Sequence, residues 1–183
     1  MSGAGPLLRR EGTDPQGRGW LVRPAAERDA TGLLAVRDAV AAAGGLVAAA
    51  PGERTRIEEA LALAGILSSG GLALVCESAG EITGSLQVAR RRGPYEGHVG
   101  DLSIALLAPF RGVGIGSAML AMAVEWARAV RLRKVCLAVF PDNARAISVY
   151  LRAGFAQEGL QRCQVHAGGT DRDLLLMGLV VGD

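Results

Sequence analysis

The residue types that could do chemistry gather first in the stretch Arg111-Gly112-Val113-Gly114-Ile115-Gly116-Ser117. Three glycines within five positions let a backbone approach a ligand closely and take turns that a side chain forbids. Residues 102–107 before the stretch form an apolar run that reads as a strand, and residues 118–127 after it read as a helix. The first amides of such a helix have no intrahelical partner and sit at the positive end of its dipole. Glycine access and free amides together suit an anion, most often a phosphate.

The kind of phosphate ligand is narrowed by what is missing. A nucleotide-binding P-loop needs Lys and then Ser or Thr after its last glycine, whereas Ser117-Ala118 follows Gly116. A dinucleotide fingerprint counted from Gly112 and Gly114 needs a third glycine at position 117, which is Ser. It also needs an acidic residue ending the next strand, which runs Leu137-Ala138-Val139-Phe140. A glycine-rich turn without a ligand is the remaining alternative.

The elements that must position this loop follow from periodicity. Residues 20–23 read as a strand halted by Pro24, and 29–42 as a helix with Leu33, Leu34, Val36 and Val40 on one side. A second helix is expected from Pro51-Gly52-Glu53, with Ile57, Leu61, Ala64 and Leu67 as its inward stripe. Residues 72–77 and 82–90 form a hairpin with Gly84 as a candidate bulge, followed by a long strand over 97–107. After the loop and its helix come a strand at 135–140, a helix opened by Pro141-Asp142-Asn143 and ending at Arg152, and strands at 156–165 and 173–180. The order β-α-α-β-β-β-α-β-α-β-β is one mixed α/β domain over 20–183, with a β-α-β unit spanning the loop. Residues 1–19, rich in Gly, Pro and Arg, are expected to be a flexible tail.

Composition adds exclusions. At 183 residues and 50% hydrophobic, the chain can bury one sizeable core. A net charge of +2 gives no global drive toward nucleic acid or a membrane surface. No run is long and apolar enough to span a bilayer, and the amino terminus lacks the apolar centre of a signal peptide. Cys76, Cys136 and Cys163 have no metal-type spacing with His98 or His166, so no metal is expected. They read as buried free thiols, which suits the cytoplasm. A homodimer fits the apolar content.

Arg111-x-x-Gly114-x-Gly116 after an apolar strand, then Asn143-x-x-Ala146-x-x-x-Tyr150 and Gly154-Phe155, resembles the acetyl-CoA-binding pattern of the GNAT superfamily of N-acetyltransferases. The ending, from Arg162 through Gly168-Gly169 to Asp173-Leu174-Leu175-Leu176-Met177, is similar to the branch that includes ribosomal-protein and phosphinothricin acetyltransferases. So is His98-Val99-Gly100-Asp101-Leu102. The resemblance covers all but the first 19 residues. It implies a mixed, mostly antiparallel sheet of about seven strands flanked by about four helices. It further implies an enzyme that moves an acetyl group from acetyl-CoA to a primary amine of a small molecule or peptide, by direct attack in a ternary complex.

The same resemblance distributes roles. It sets the CoA pyrophosphate on the amides of Gly112, Val113, Gly114, Ile115, Gly116 and Ser117, with Arg111 opening the loop. The pantetheine arm lies along Ile104, Ala105 and Leu106 like an added strand. The Leu106 amide serves the oxyanion. Asn143, which also suits a helix cap, and Ala146 face the cofactor arm. Tyr150 protonates the departing thiolate. The base is less plain. Relatives carry a Glu eleven residues before the motif's first residue, which is Gly100 here, or on the fifth strand, which is Ala138 here. Asp101 is the adjacent carboxylate, on the opposite strand face unless a bulge intervenes. Glu77, Glu96 and His98 are further candidates, and Asp173 has either a substrate-side or a structural role. Cys136 has no His in a pairing pattern, which disfavours a covalent route. The acceptor pocket is expected from the first two helices, the connector 44–52 and the loop 166–172. The alternative is a CoA-binding regulatory or interaction module that lacks its base.

Overall fold

The computed structural model describes residues 8–44, 50–167 and 169–182. Eight strands form one sheet: β1 (Arg10–Thr13), β2 (Gly19–Pro24), β3 (Leu72–Ser78), β4 (Glu81–Arg90), β5 (Val99–Leu106), β6 (Lys134–Val139), β7 (Ala156–Ala167) and β8 (Thr170–Val180). Four α-helices join them: α1 (Ala30–Ala42), α2 (Arg56–Ser68), α3 (Ile115–Ala129) and α4 (Ala144–Arg152). The sheet order is β1-β2-β3-β4-β5-β6-β8-β7, antiparallel except for the β5–β6 pair. The mixed, mostly antiparallel architecture is the expected one, with one strand more.

That strand lies in the segment read as a tail. Arg10–Thr13 pairs with Gly19–Val22 through a turn organised by Asp14, which is buried at 5% exposure. Its Oδ1 accepts from the amides of Gln16 and Arg18 at 2.9 Å. A short Asp-centred turn of this kind leaves no apolar periodicity in the sequence.

The sheet carries apolar clusters on its two faces. Leu74, Leu86, Leu102, Leu137 and Met177 pack with Ile115, Met119, Met122 and Trp126 of α3 and with Tyr150 of α4. Each such side chain contributes roughly 1.5–3 kcal/mol by leaving water. On the other face, Ala73 and Val75 pack with Leu33 of α1 and Leu63 of α2. β3 is covered on both sides, so its run Leu72-Ala73-Leu74-Val75-Cys76 is apolar without alternation.

α2 departs from expectation in start and rotation. It begins at Arg56, because Thr55 and Glu58 form a capping box: the Glu58 amide donates to Thr55 Oγ1 at 3.3 Å, and the Thr55 amide to Glu58 Oε2 at 2.7 Å. The stripe Ile57, Leu61, Ala64 and Leu67 faces outward, with Leu61 67% exposed, and the helix buries Glu59 and Leu63 instead. The bulge in the β3–β4 hairpin falls at Thr83 rather than Gly84, since Cys76 pairs with Gly84 and Glu77 with Ile82. Thr83 Oγ1 donates to the Cys76 carbonyl at 3.2 Å. Of the three cysteines only Cys76 is buried. Cys136 is half-buried, and Cys163 is exposed at a β7 irregularity.

Candidate active site

The site begins where β5 and β6 part. They pair at Val99–Lys134, Gly100–Val135 and Asp101–Cys136 and share no further paired residue. Beyond that point a cleft of about 900 Å³ opens, lined by Leu102 to Leu106 on one wall and Ala138 to Phe140 on the other. The direction of the β5 backbone groups follows from its other neighbour. The Leu107 amide donates to the Thr83 carbonyl at 2.9 Å, and Leu106 pairs with Gly84. Antiparallel alternation then turns the N–H and C=O of Leu106 and Ile104 away from β4, into the split, and those of Ala105 toward β4. The Leu106 carbonyl is taken by Arg111 Nε, which donates at 2.7 Å. Its amide is left directed at the cleft.

One end of the cleft is the glycine loop. Gly112 and Gly114 have φ of +79° and +92°, a region that side chains enter only with strain. Gly114 is the residue before α3, and no side chain caps the helix. The amides of Ile115, Gly116 and Ser117 therefore have no intrahelical or side-chain partner. Gly114, Gly116 and Ser117 line the cleft, as do Arg111 and Gly112. Val113 and Ile115 are not among the lining residues, and Ile115 is fully buried. Only their backbone can serve the loop. Arg145 of α4 also lines this end, with its Nη1 3.3 Å from where a Cβ on Gly112 would stand, and Arg152 lines the cleft two turns further along the helix. Arg145 lies close enough to help depress the Arg111 pKa, after the larger effect of burial. Sequence reasoning passed over both arginines. Their signal was the seven-residue spacing from Arg145 to Arg152, two turns along one helix face.

α4 supplies the side chains between the loop and the split. Asn143 caps it, its Oδ1 accepting from the Ala146 amide at 3.2 Å, and Asn143, Ala146 and Tyr150 all line the cleft. Arg172 braces the preceding turn by stacking 3.7 Å from the Phe140 ring centroid and donating to Asp142 at 2.7 Å. Tyr150 is 8% exposed, with its ring 6.0 Å from that of Phe155. Burial pushes its phenol up to about 12, so it holds its proton at neutral pH.

The expected bases lie elsewhere. Pairing between β4 and β5 runs unbroken from Gly84–Leu106 to Arg90–Gly100, so no bulge reorients Asp101. Its carboxylate is held by Arg91 through contacts of 2.8 and 2.9 Å and is not among the cleft-lining groups. Glu96 pairs with Arg91 at 3.1 Å, Glu77 with Arg23 at 3.0 Å, and His98 is exposed. None of the three lines the cleft. A side chain at Gly100 would come within 2.6 Å of Val88 Cγ1, so that position has no room for a Glu. Asp173 Oδ1 accepts from the Cys163 amide at 2.8 Å, which holds the β7 irregularity. The acidic group that does line the cleft is Glu59, 3% exposed and paired with Arg54 at 3.1 Å. Leu33, Arg37 and Val40 of α1 line the same end. The first two helices thus contribute as expected. Residues 45–49 of the connector lie outside the described residues. In the 166–172 loop, His166 pairs with Asp171 at 2.6 Å on the exposed surface. Glu59 escaped sequence reasoning because the apolar stripe pointed to the opposite face of α2.

The acetyltransferase (GNAT) family model matches residues 47–155, a stretch that contains the split, the loop and Tyr150. The chain belongs to that family. L-amino acid N-acetyltransferase AaaT of Escherichia coli (strain K12) is 34% identical over 105 residues, which is 55% of this GNAT chain and 63% of that relative's length. A ribosomal-protein-alanine N-acetyltransferase from Brucella melitensis superposes with a TM-score of 0.79 at 26% identity, over 87% of this chain and 98% of that one. A phosphinothricin acetyltransferase from Sinorhizobium meliloti in complex with acetyl-CoA shares the fold, with a TM-score of 0.81 at 22% identity over 88% of each chain. No helix among the described residues is long and apolar enough to cross a membrane.

Proposed function

We propose that this GNAT-family protein transfers the acetyl group of acetyl-CoA to the primary amine of an amino acid or similar small molecule by direct attack in a ternary complex. The carrying observation is the β5–β6 split. It presents the free Leu106 amide between an anion-ready glycine loop and the protonated phenol of Tyr150. The residues fit the donor. Free amides at 115–117 and the guanidinium groups of Arg111 and Arg145 meet the phosphate charge. The in-split N–H and C=O of Ile104 can bond the pantetheine amides. The Leu106 N–H then stabilises the oxyanion formed when the amine attacks the thioester carbonyl. As the C–S bond breaks, Tyr150 gives its proton to the sulfur. Asp101 is not used, because Arg91 occupies it.

The likeness to an L-amino acid N-acetyltransferase supports the acceptor class. The unpaired cysteines support a reducing, cytoplasmic setting. The outward face of α2, with Ile57, Leu61 and Leu67, supports a homodimer. Mixing the protein with acetyl-CoA and a panel of amines, with titration of released thiol, tests the reading. Amine-dependent release is expected. Acetyl-CoA binding without release on any amine would instead favour a regulatory module.

A further inference from the structure

At the end of the cleft remote from the glycine loop, α1 and α2 bring together four charged side chains. Arg37 and Arg54 line the cleft with Glu59. Arg37 Nη2 donates to Glu53 Oε2 at 2.5 Å, and Arg54 Nη1 to Glu59 Oε2 at 3.1 Å. Arg37 and, more weakly, Arg54 hold the Glu53 carboxyl below its usual range, so the two pairs belong to one network. Two features are left over. Arg37 Nε is buried with no hydrogen-bond partner among the described residues. Glu59 is almost fully buried, while β5 contributes Leu102, Ser103, Ile104, Ala105 and Leu106, and no carboxylate, to the cleft wall. The rest of the Arg37 guanidinium is reachable, since the side chain is 24% exposed and bonds a described residue through Nη2 alone, so it has donors left for a charge-assisted bond to a ligand carboxylate. A buried carboxylate with one guanidinium partner keeps acceptor capacity for an ammonium.

Resting on the acetyltransferase reading, we propose that Arg37 and Glu59 read a zwitterionic acceptor, Arg37 taking its carboxylate and Glu59 its ammonium, and that Glu59 is the proton acceptor of the reaction. The ammonium passes one proton to the Glu59 carboxylate. The freed nitrogen lone pair forms the C–N bond at the thioester carbonyl. The C–S bond breaks, and the sulfur takes the Tyr150 proton. The acylated nitrogen still carries a surplus proton, which passes to the Tyr150 phenolate and restores the phenol, and Glu59 returns its proton to solvent, so one proton is released per turnover. The base thus comes from helix α2 rather than from the central strands. Arg54 positions it and Leu33 and Val40 supply the apolar wall against the acceptor side chain.

The test pairs leucine with 3-methylbutylamine, its decarboxylated analogue, and uses both binding and turnover. With CoA-loaded wild type, calorimetry is expected to show leucine bound roughly 10- to 100-fold more tightly than the amine, the scale of one charge-assisted bond. Arg37→Met should abolish that preference and leave the amine's affinity within about threefold. Equal affinities for the two ligands in wild type, or equal losses in Arg37→Met, overturn the carboxylate assignment whether or not turnover occurs. For turnover, Glu59→Gln is expected to lower kcat by about 10²- to 10⁴-fold. Glu59→Asp should restore part of that loss, and acetyl-CoA affinity should stay at the wild-type value as the check on folding. A Glu59→Gln protein with kcat within about threefold of wild type overturns the base assignment. Leucine binding that depends on Arg37 without turnover on any amine would overturn the transferase reading and the base together, and leave the carboxylate site standing.

Discussion

Tyr150→Phe separates chemistry from architecture more cleanly than any other change in this cleft. The ring is 8% exposed and packs against Phe155, and Phe keeps that packing. No side-chain hydrogen bond ties the hydroxyl to another described residue, so its removal should change stability by less than about 1 kcal/mol. The phenol sits at about 12, held up by burial, and is the proton source nearest the thiolate in the proposed route. Losing a positioned general acid lowers kcat by about 10²- to 10⁴-fold, or roughly 3–5.5 kcal/mol in the barrier. Thiol-release kinetics at saturating acetyl-CoA give kcat, and calorimetry gives the acetyl-CoA affinity, which should not move. The same shift has a stability consequence of definite sign. The folded pKa lies above the unfolded value of 10.0, so the neutral form is favoured by folding. Up to roughly 3 kcal/mol is present below pH 10 and is lost as pH rises from 10 to about 12. Thermal unfolding should show a steeper alkaline decline in wild type than in Tyr150→Phe. A variant with kcat within threefold of wild type would remove Tyr150 from the chemistry, and equal alkaline declines would remove the burial argument.

Other perturbations test the parts around it. Gly114→Ala meets open space but must hold φ at +92°, so it should cost about 1–2 kcal/mol locally and weaken acetyl-CoA binding by about tenfold; unchanged binding by calorimetry would count against the loop's role. Asp29 bonds both Arg23 Nη atoms, at 2.7 and 2.9 Å, and is 6% exposed; Asp29→Asn should destabilise by roughly 3 kcal/mol in urea unfolding. Arg23 holds the Asp29 carboxyl below 3.8, so this contribution is present above that pH and lost as pH falls through the lower folded value; acid unfolding that is the same in Asp29→Asn and wild type would exclude it. If the outward face of α2 joins two copies, Leu61→Glu should yield monomers in analytical ultracentrifugation, and an unchanged sedimentation coefficient would place any dimer contact elsewhere.

Most of what frames the glycine-loop end of the cleft was legible in the sequence, because it depends on backbone. Glycines at 112 and 114, an apolar strand before them and a helix after them dictate the loop with little help from tertiary contacts. Asn143 and Tyr150 were readable because a cap and a seven-residue helical spacing are local features. The end lined by α1 and α2 was not, and α2 shows why. Its apolar residues Ile57, Leu61 and Leu67 predict a buried face, yet the helix turns Glu59 and Leu63 inward. Helix rotation is set by what the sheet and α1 offer, here Ala73, Val75 and Leu33, which no single segment encodes. Asp101 failed for a related reason. Strand alternation alone does not show that a residue ten positions away, Arg91, will hold its carboxylate. Likewise β1 was invisible because four residues pinned by an Asp14 turn carry no periodic signal.

The central claim is direct transfer from acetyl-CoA to an amine inside the β5–β6 split. It is tested most directly by following an isotopically labelled acetyl group by mass spectrometry while counting released thiol. The account predicts one N-acetylated acceptor per thiol, with the intact mass of the protein unchanged throughout. A labelled protein, or thiol release with no acetylated amine, would contradict it.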